Sequence, residues 1–131
     1  MDDAPTGNLE QGEYWESRAT SWIEAEDYTA LISSSFGQRA MDALDPGPGD
    51  TVLDVGCGTG PTTIELARRV APGGTVLGVD IAATMVDAAR RRAAGTGADR
   101  VEFAVADAQV DDLGAGAFDA VYSQFGVMFF A

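Results

Sequence analysis

Residues 52–61 read VLDVGCGTGP, an apolar run that holds one carboxylate, Asp54, and then breaks into glycines at every second position. These glycines are Gly56, Gly58 and Gly60. The pattern predicts a buried strand, a tight loop and a helix that begins at Pro61, because the first helical turn does not need the N–H that proline lacks. A glycine loop after the first strand is the usual ligand position in an open α/β sheet. The stretch therefore predicts a ligand-binding βα unit.

Downstream of this unit, short valine-rich segments alternate with segments of helical periodicity. We predict strands at 51–55, 75–80, 100–107 and 118–125, and helices at about 61–70 and 83–94. Short apolar strands separated by helices indicate a parallel sheet with crossover helices, and hence a Rossmann-like α/β fold. Gly95 is expected to end the second helix, with Arg90, Arg91 and Arg92 in its last turn, where positive charge meets the helix dipole favourably.

The residues upstream of the glycine loop divide into two parts. Residues 1–12 contain Pro5, two glycines and few apolar groups, so they predict a flexible lead-in. Residues 13–49 predict N-terminal helices, with a break around 26–29 as one arrangement, and the sequence DPGPGD at 45–50 stops the helical pattern. Residues 50–131 then form the ligand-binding region.

The composition excludes several functional classes. The chain has 8 Lys+Arg against 21 Asp+Glu, and its net charge of −13 repels nucleic-acid backbones and anionic lipid, so we expect neither as a partner. One cysteine and no histidine leave no internal disulfide and no ordinary zinc ligands, so we expect no metal. No apolar stretch approaches the roughly 20 residues that span a bilayer, and the acidic N-terminus lacks the features of a secretory signal. We expect a cytoplasmic protein.

Acidic residues end the next two predicted strands. Asp80 follows Gly56 by 24 residues, at the position where a carboxylate can accept both hydroxyls of a ribose. Asp107, followed by the small residue Ala108, ends the third strand near where a base on that ribose would lie. Each acid alone is an ordinary strand-end or capping residue, but three at one sheet edge favour a binding site.

The loop spacing discriminates between nucleoside cofactors. A dinucleotide site prefers G-x-G-x-x-G, whereas this loop is G-x-G-x-G, and Asp54 would repel a pyrophosphate. The same acid suits a ligand that carries an ammonium and a sulfonium. S-adenosylmethionine fits that description better than a nicotinamide cofactor does, and an oxidoreductase remains the less favoured alternative.

VLDVGCGTG resembles, almost in full, the first motif of the class I S-adenosylmethionine-dependent methyltransferases, in particular the small-molecule group similar to the ubiquinone/menaquinone C-methyltransferases. FDAVYSQFGVMFF at 118–130 resembles the fourth motif of that family. The resemblance covers about residues 50–130, the N-terminal part of the family's domain. It implies that the methionine part of the cofactor is lined by Asp54, Gly56, Cys57, Gly58 and Gly60.

Further site residues follow from the same resemblance. It implies that Asp80 holds the ribose, with Ile81 against the adenine, and that Asp107 and Ala108 lie at the adenine-binding step. Residues implied near the sulfonium and the acceptor are Ser123, Gln124 and Phe125, and Met85 is implied on the cofactor side. An aromatic from the N-terminal helices, Trp22, Trp15 or Tyr28, is expected over the cofactor. Cys57 is interpreted as a small loop residue and not as a nucleophile.

The family's fold is a three-layer sandwich whose seven-stranded sheet has the order 3-2-1-4-5-7-6. This chain supplies strands in the order 3-2-1-4, and strands five to seven are missing. We therefore expect the apolar tail at 127–130 and the edge of strand four to be covered, either by the rest of a longer enzyme or by a second copy or partner chain. The N-terminal helices would form a lid or the acceptor side.

The expected activity is methyl transfer to a small-molecule acceptor by in-line displacement, which positioning alone accelerates strongly. We name no catalytic residue, since carboxylates, a tyrosine such as Tyr122 and groups outside this chain all remain candidate bases. The alternative is a catalytically silent or non-methylating module that binds the cofactor and needs a partner chain.

Overall fold

The computed structural model describes residues 7–130. Within this range, four α-helices, four β-strands and a short 3₁₀ helix follow one another. In order they are α1 (Leu9–Glu24), α2 (Glu26–Leu44), β1 (Thr51–Val55), α3 (Pro61–Val70), β2 (Thr75–Asp80), α4 (Ala83–Thr96), β3 (Val101–Val105), β4 (Ala120–Tyr122) and the 3₁₀ helix (Val127–Phe129).

The four strands form one parallel sheet in the order β3-β2-β1-β4. Both the α/β class and the predicted strand order are therefore confirmed. In this register Val55 lies opposite Val79, and Asp80 lies opposite Val105. The carboxyl ends of β1, β2 and β3 consequently meet at one edge of the sheet, as parallel pairing requires.

Alternate residues of each strand face the helices. On that face Val52, Val76 and Tyr122 pack with α2 and α3, while Phe103 packs with α4. On the opposite face, Leu53, Val55 and Val79 pack against side chains of the segment after β3, including Leu113 and Phe118. Burial of branched side chains on both faces explains the continuous valine-rich runs, since each buried aliphatic side chain contributes about 1.5–3 kcal/mol.

The N-terminal helices lie on the side of the sheet that carries the other helices. They are separated at Ala25, one residue before the predicted break, and α1 lies against α4 through Ala19, Ala82 and Met85. Helix α1 begins at Leu9, so residues 9–12 of the expected lead-in are helical; residues 1–6 lie outside the described part of the chain. Gly12 lets α1 pack closely on Ile81, where an added Cβ would lie 3.3 Å from Cγ1.

The predicted bounds of α4, β3 and β4 are wrong. Helix α4 ends with Gly97 in the left-handed conformation, with φ +67°, and Gly95 lies inside the helix. The arginine run therefore precedes the last turn, and Arg90 donates through Nη2 to the Phe103 carbonyl at 2.9 Å. Strands β3 and β4 are also shorter than predicted, because the chain turns away from the sheet at Asp107 and at Ser123.

Candidate cofactor-binding site

The glycine loop between β1 and α3 is hydrogen-bonded to the end of β2. The Gly56 and Cys57 amides donate to the Val79 carbonyl at 2.9 and 3.0 Å, and the Gly60 amide donates to the Cys57 carbonyl at 3.0 Å. These bonds hold the loop across the carboxyl end of the sheet.

The three glycines of the loop serve different purposes. All have positive φ, but a Cβ added to Gly56 would lie 2.8 Å from the Gly126 Cα, and one added to Gly60 would lie 3.0 Å from the Ala89 Cβ. Packing alone therefore requires both. A Cβ on Gly58 would meet nothing within 4 Å, so the loop leaves open space there. Space over bare backbone allows the close approach of a ligand.

Asp54 lies beneath the loop and is fully buried. Its Oδ2 accepts hydrogen bonds from the hydroxyls of Thr62 and Thr63, both at 2.7 Å, in the first turn of α3. Its Oδ1 is also buried and has no hydrogen-bond partner within residues 7–130. Burial raises the pKa of this carboxyl to about 6, against the lowering effect of the two hydroxyls and with a further rise from Asp80.

Asp80 joins the end of β2 to the glycine loop. Its Oδ2 accepts from the Gly58 amide at 2.9 Å, and its Oδ1 accepts from the Ala82 amide at 3.0 Å. Burial raises the pKa of this carboxyl, while the backbone amides lower it. Asp80, which is predicted to hold the ribose, therefore also fixes Gly58, the loop residue that faces open space.

An open cleft of about 730 Å³ lies between α1 and the residues that follow β2 and β3, and Asp80 itself is not among the residues that line it. Ile81 and Asp107 line it on the sheet side, and α1 supplies the other wall, including Gly12, Glu13 and Glu16. Asp107 accepts from the Asn8 amide at 2.5 Å and from the Gln109 amide at 3.0 Å. Ala108 packs on the other face of the sheet, next to Leu53 and Val79.

The end of β4 closes against the glycine loop. The Ser123 hydroxyl donates to the Val55 carbonyl at 2.8 Å and accepts from the Gly126 amide at 3.2 Å. Gln124 accepts through Oε1 from the Tyr122 hydroxyl at 3.1 Å. Burial raises the pKa of Tyr122, Asp54 raises it further and Arg69 lowers it. Phe125 is exposed and has a left-handed backbone, with φ +63°.

Several predicted site residues lie away from the cleft. Cys57 is buried, and burial raises the pKa of its thiol, which suits the predicted structural role. Met85 is buried beneath α1. Trp22 packs edge-on against Trp15 at 5.8 Å between ring centroids and does not line the cleft. Tyr28 is 69% exposed on the outside of α2.

Sequence reasoning missed most side-chain contacts that connect the N-terminal helices to the site. The Thr59 hydroxyl donates to Glu26 Oε1 at 2.7 Å, and Thr84 contacts Glu16 through both its hydroxyl and its amide. The ring of Trp15 meets that of Phe129 at 4.9 Å. No local pattern signals these long-range pairs. The threonines on Asp54 had a signal, since they occupy the first turn after the loop.

The residues gathered at this edge fit the expected cofactor. Acidic groups surround the loop, the buried Oδ1 of Asp54 has no hydrogen-bond partner within residues 7–130, and a side chain at Gly58 would project into open space. This donor set matches a ligand with hydroxyls and positive charge. Among residues 7–130, no group of three or more His, Cys, Asp or Glu side chains is placed to hold a metal ion. No helix in this range is both long and apolar enough to cross a membrane.

Comparison with known proteins agrees with this geometry. Residues 52–131 match the family model described as a methyltransferase domain. The chain is 42% identical over 93 residues to nocamycin O-methyltransferase of Saccharothrix syringae, covering 71% of this chain and 33% of that protein. It is 43% identical over 95 residues to demethylmenaquinone methyltransferase of Thermus thermophilus, covering 72% of this chain and 42% of the relative.

A solved structure gives the same result. Geranyl diphosphate C-methyltransferase from Streptomyces coelicolor A3(2), in complex with S-adenosyl-L-homocysteine, is 33% identical, with a TM-score of 0.61 over 69% of this chain and 32% of that one. The chain thus spans less than half the length of these relatives. The matched region begins at Val52 and includes the glycine loop, Asp80 and Asp107. This chain belongs to the S-adenosylmethionine-dependent methyltransferases, whose methyltransferase domain it carries in part.

Proposed function

We propose that the chain provides the cofactor half-site of an enzyme that transfers a methyl group from S-adenosylmethionine to a small-molecule acceptor. When bound, this cofactor supplies an electrophilic methyl group on a sulfonium, which the acceptor takes by in-line displacement. Such a reaction depends mainly on positioning, which can lower a barrier by on the order of 7–11 kcal/mol. No side chain of this half-site is assigned as a general base.

The proposed roles follow the positions of the residues around the cleft. Asp80 would hold the ribose, and Ile81 and Asp107 would lie against the adenine. The open space over Gly58 would admit the methionine part, with the negative charge of Asp54 beneath it. Ser123, Gln124 and Phe125, at the end of β4, would lie on the acceptor side. Trp22 and Met85 would act indirectly, through the packing of α1.

The acceptor class is supported by relatives and by charge. The three comparison proteins are named as methyltransferases of nocamycin, demethylmenaquinone and geranyl diphosphate, which are not macromolecules. The net charge of −13 disfavours binding to a nucleic-acid backbone. An acidic cleft also attracts a cationic cofactor.

The observation that carries the proposal is the position of Asp80, which links the ribose position to the glycine loop through the Gly58 amide. We expect Asp80→Asn to weaken S-adenosylhomocysteine binding by about 30-fold, the size expected for losing hydrogen bonds to a charged acceptor. Isothermal titration calorimetry of the purified chain measures this. Asp87→Asn is the matched control, because Asp87 lies on the exposed side of α4 and pairs only with Arg90 among the described residues.

Two outcomes would contradict the proposal. If the wild-type chain fails to bind S-adenosylhomocysteine, it has no cofactor half-site. If Asp80→Asn and Asp87→Asn bind it equally well, Asp80 does not hold the ribose.

A second candidate is a module that binds the cofactor without turnover until a partner chain completes it. The observation in its favour is the position of β4 at the end of the sheet order β3-β2-β1-β4. The edge of β4 is open among the described residues, and Val121 there is 57% exposed. Light scattering over a range of concentrations, combined with cofactor binding and a methyl-transfer assay, distinguishes the candidates. Binding without turnover and a mass that rises with concentration favour the module.

A further inference from the structure

One side chain of the glycine loop is anchored from outside the sheet. Thr59 is 5% exposed, and its hydroxyl donates to Glu26 Oε1 at 2.7 Å. The same oxygen of Glu26 forms an ion pair with Arg92 of α4. We call these three residues the Glu26 bridge. It connects the start of α2, the tip of the loop and the second crossover helix.

The position of Thr59 in the loop allows this contact to restrain the loop conformation. Its neighbours Gly58 and Gly60 both have positive φ and carry no side chain that could fix the turn. Glycine also loses more conformational entropy on ordering than any other residue. A charge-assisted hydrogen bond to Thr59 is therefore well placed to offset the cost of ordering the loop tip.

The environment of Glu26 favours the bridge in two ways. Glu26 is the first residue of α2, where negative charge interacts favourably with the helix dipole. Its side chain is 20% exposed and that of Arg92 is 36% exposed, so the ion pair is only partly screened by solvent. Ala25 separates α1 from α2 immediately before it. The bridge thus ties the loop to the junction of the N-terminal helices.

We propose that Glu26 is a positioning residue for the cofactor. It holds Thr59 so that the loop keeps the conformation in which the Gly58 amide meets Asp80. Cofactor binding and docking of α2 are then coupled, and by thermodynamic linkage each strengthens the other. This inference rests on the proposed function, since it concerns the same cofactor half-site.

The first test compares S-adenosylhomocysteine affinity among folded variants by calorimetry. We expect Thr59→Val, which removes the hydroxyl at constant shape, to weaken binding by about tenfold, and Glu26→Gln, which keeps an acceptor but loses the charge, by about threefold. Thr59→Ser retains the hydroxyl and should bind within about twofold of wild type. Glu24→Gln removes the same charge from an exposed position nearby and should leave the affinity unchanged.

A second test needs no ligand and separates local loop ordering from general stability. Hydrogen exchange of the Gly58 and Gly60 amides should accelerate in Thr59→Val and Glu26→Gln, while exchange of strand amides such as that of Val79 should change little. Uniform acceleration throughout the chain would mean that the bridge only stabilises the fold.

The failures of the two proposals are distinguishable. If wild type binds S-adenosylhomocysteine and both Thr59→Val and Glu26→Gln bind it equally well, the positioning role is refuted while the proposed function stands. If the wild-type chain does not bind it, the proposed function fails. Unchanged exchange at Gly58 and Gly60 in both variants refutes the bridge whatever the binding result. Should Thr59→Val fail to fold, Glu26→Gln provides the same comparison at a more exposed position.

Discussion

The buried carboxyl of Asp54 should make the stability of the chain depend on pH in a way that Asp54→Asn removes. Its pKa is raised from 3.8 to about 6 by burial beneath the glycine loop. A raised folded-state pKa means that the contribution to stability is complete below the unfolded-state value and is lost as pH rises through about 6. The whole loss amounts to about 3 kcal/mol, since one pKa unit corresponds to about 1.4 kcal/mol.

The measurable part of this loss lies above pH 5, because the isoelectric point of 4.1 favours precipitation at lower pH. Between pH 5 and pH 7.5, a group with a pKa of about 6 loses about 1.4 kcal/mol. We therefore expect the free energy of unfolding of Asp54→Asn, measured relative to wild type, to rise by that amount across this range. Urea unfolding at several pH values measures the difference, in which the effects of the other acids largely cancel.

Asp87→Asn is the matched control, since it makes the same substitution at an exposed position on α4. A pH-independent difference for Asp54→Asn would refute the reasoning. It would mean that water or local opening keeps the Asp54 carboxyl solvated despite its burial. A difference that falls with rising pH would mean that the two threonine hydroxyls outweigh the desolvation.

Three further predictions concern the loop, helix α4 and the C-terminal turn. Gly58→Ala should lower the free energy of unfolding by about 1 kcal/mol, because its backbone is left-handed, but should abolish S-adenosylhomocysteine binding. Gly60→Ala should lower the free energy of unfolding by about 3 kcal/mol, because its Cβ also meets Ala89. Urea unfolding and calorimetry measure the two effects, and equal losses of binding and stability in both variants would contradict the prediction. Gly95→Ala should raise the thermal unfolding midpoint, since alanine inside the helix adds about 0.5–1 kcal/mol of stability, and Gly97→Ala should lower the midpoint. Equal shifts in the two variants would contradict the assignment of the helix end to Gly97. Trp15→Phe should preserve the packing of Phe129, while Trp15→Ala should make the amide protons of the 3₁₀ helix exchange faster. Unchanged hydrogen-exchange protection of these amides in both variants would show that the ring contact is dispensable.

The sequence was sufficient to predict features that depend on local pattern and on sheet geometry. VLDVGCGTGP specified a strand, a loop and a helix, and parallel pairing then brought Asp80 and Asp107 to the same edge. The alternation of side chains along a strand also predicts the orientation of Asp54, because residues 52 and 54 must share the face covered by helices. Its Oδ2 accordingly faces the first turn of α3.

Contacts between distant segments were not predictable from one sequence. Glu26 and Thr59 are separated by 33 residues, and the contact depends on how α2 crosses the sheet layer. The close packing of Gly12 on Ile81 is likewise a contact between distant segments, which no periodicity predicts. The end of α4 was mispredicted because two glycines, Gly95 and Gly97, compete as stop signals, and only the backbone conformation distinguishes them.

The close approach of Gly56 to Gly126 has a consequence for how this sequence can evolve. A Cβ on Gly56 would lie 2.8 Å from the Gly126 Cα, and a Cβ on Gly126 would lie 2.7 Å from the Val55 carbonyl oxygen. The cofactor loop and the turn after β4 therefore touch backbone to backbone, with no side chain between them to absorb a change. A side chain at either position cannot be compensated at the other, because both residues are already glycine. Among relatives that keep this turn, both positions should therefore remain glycine, although 70 residues separate them along the chain.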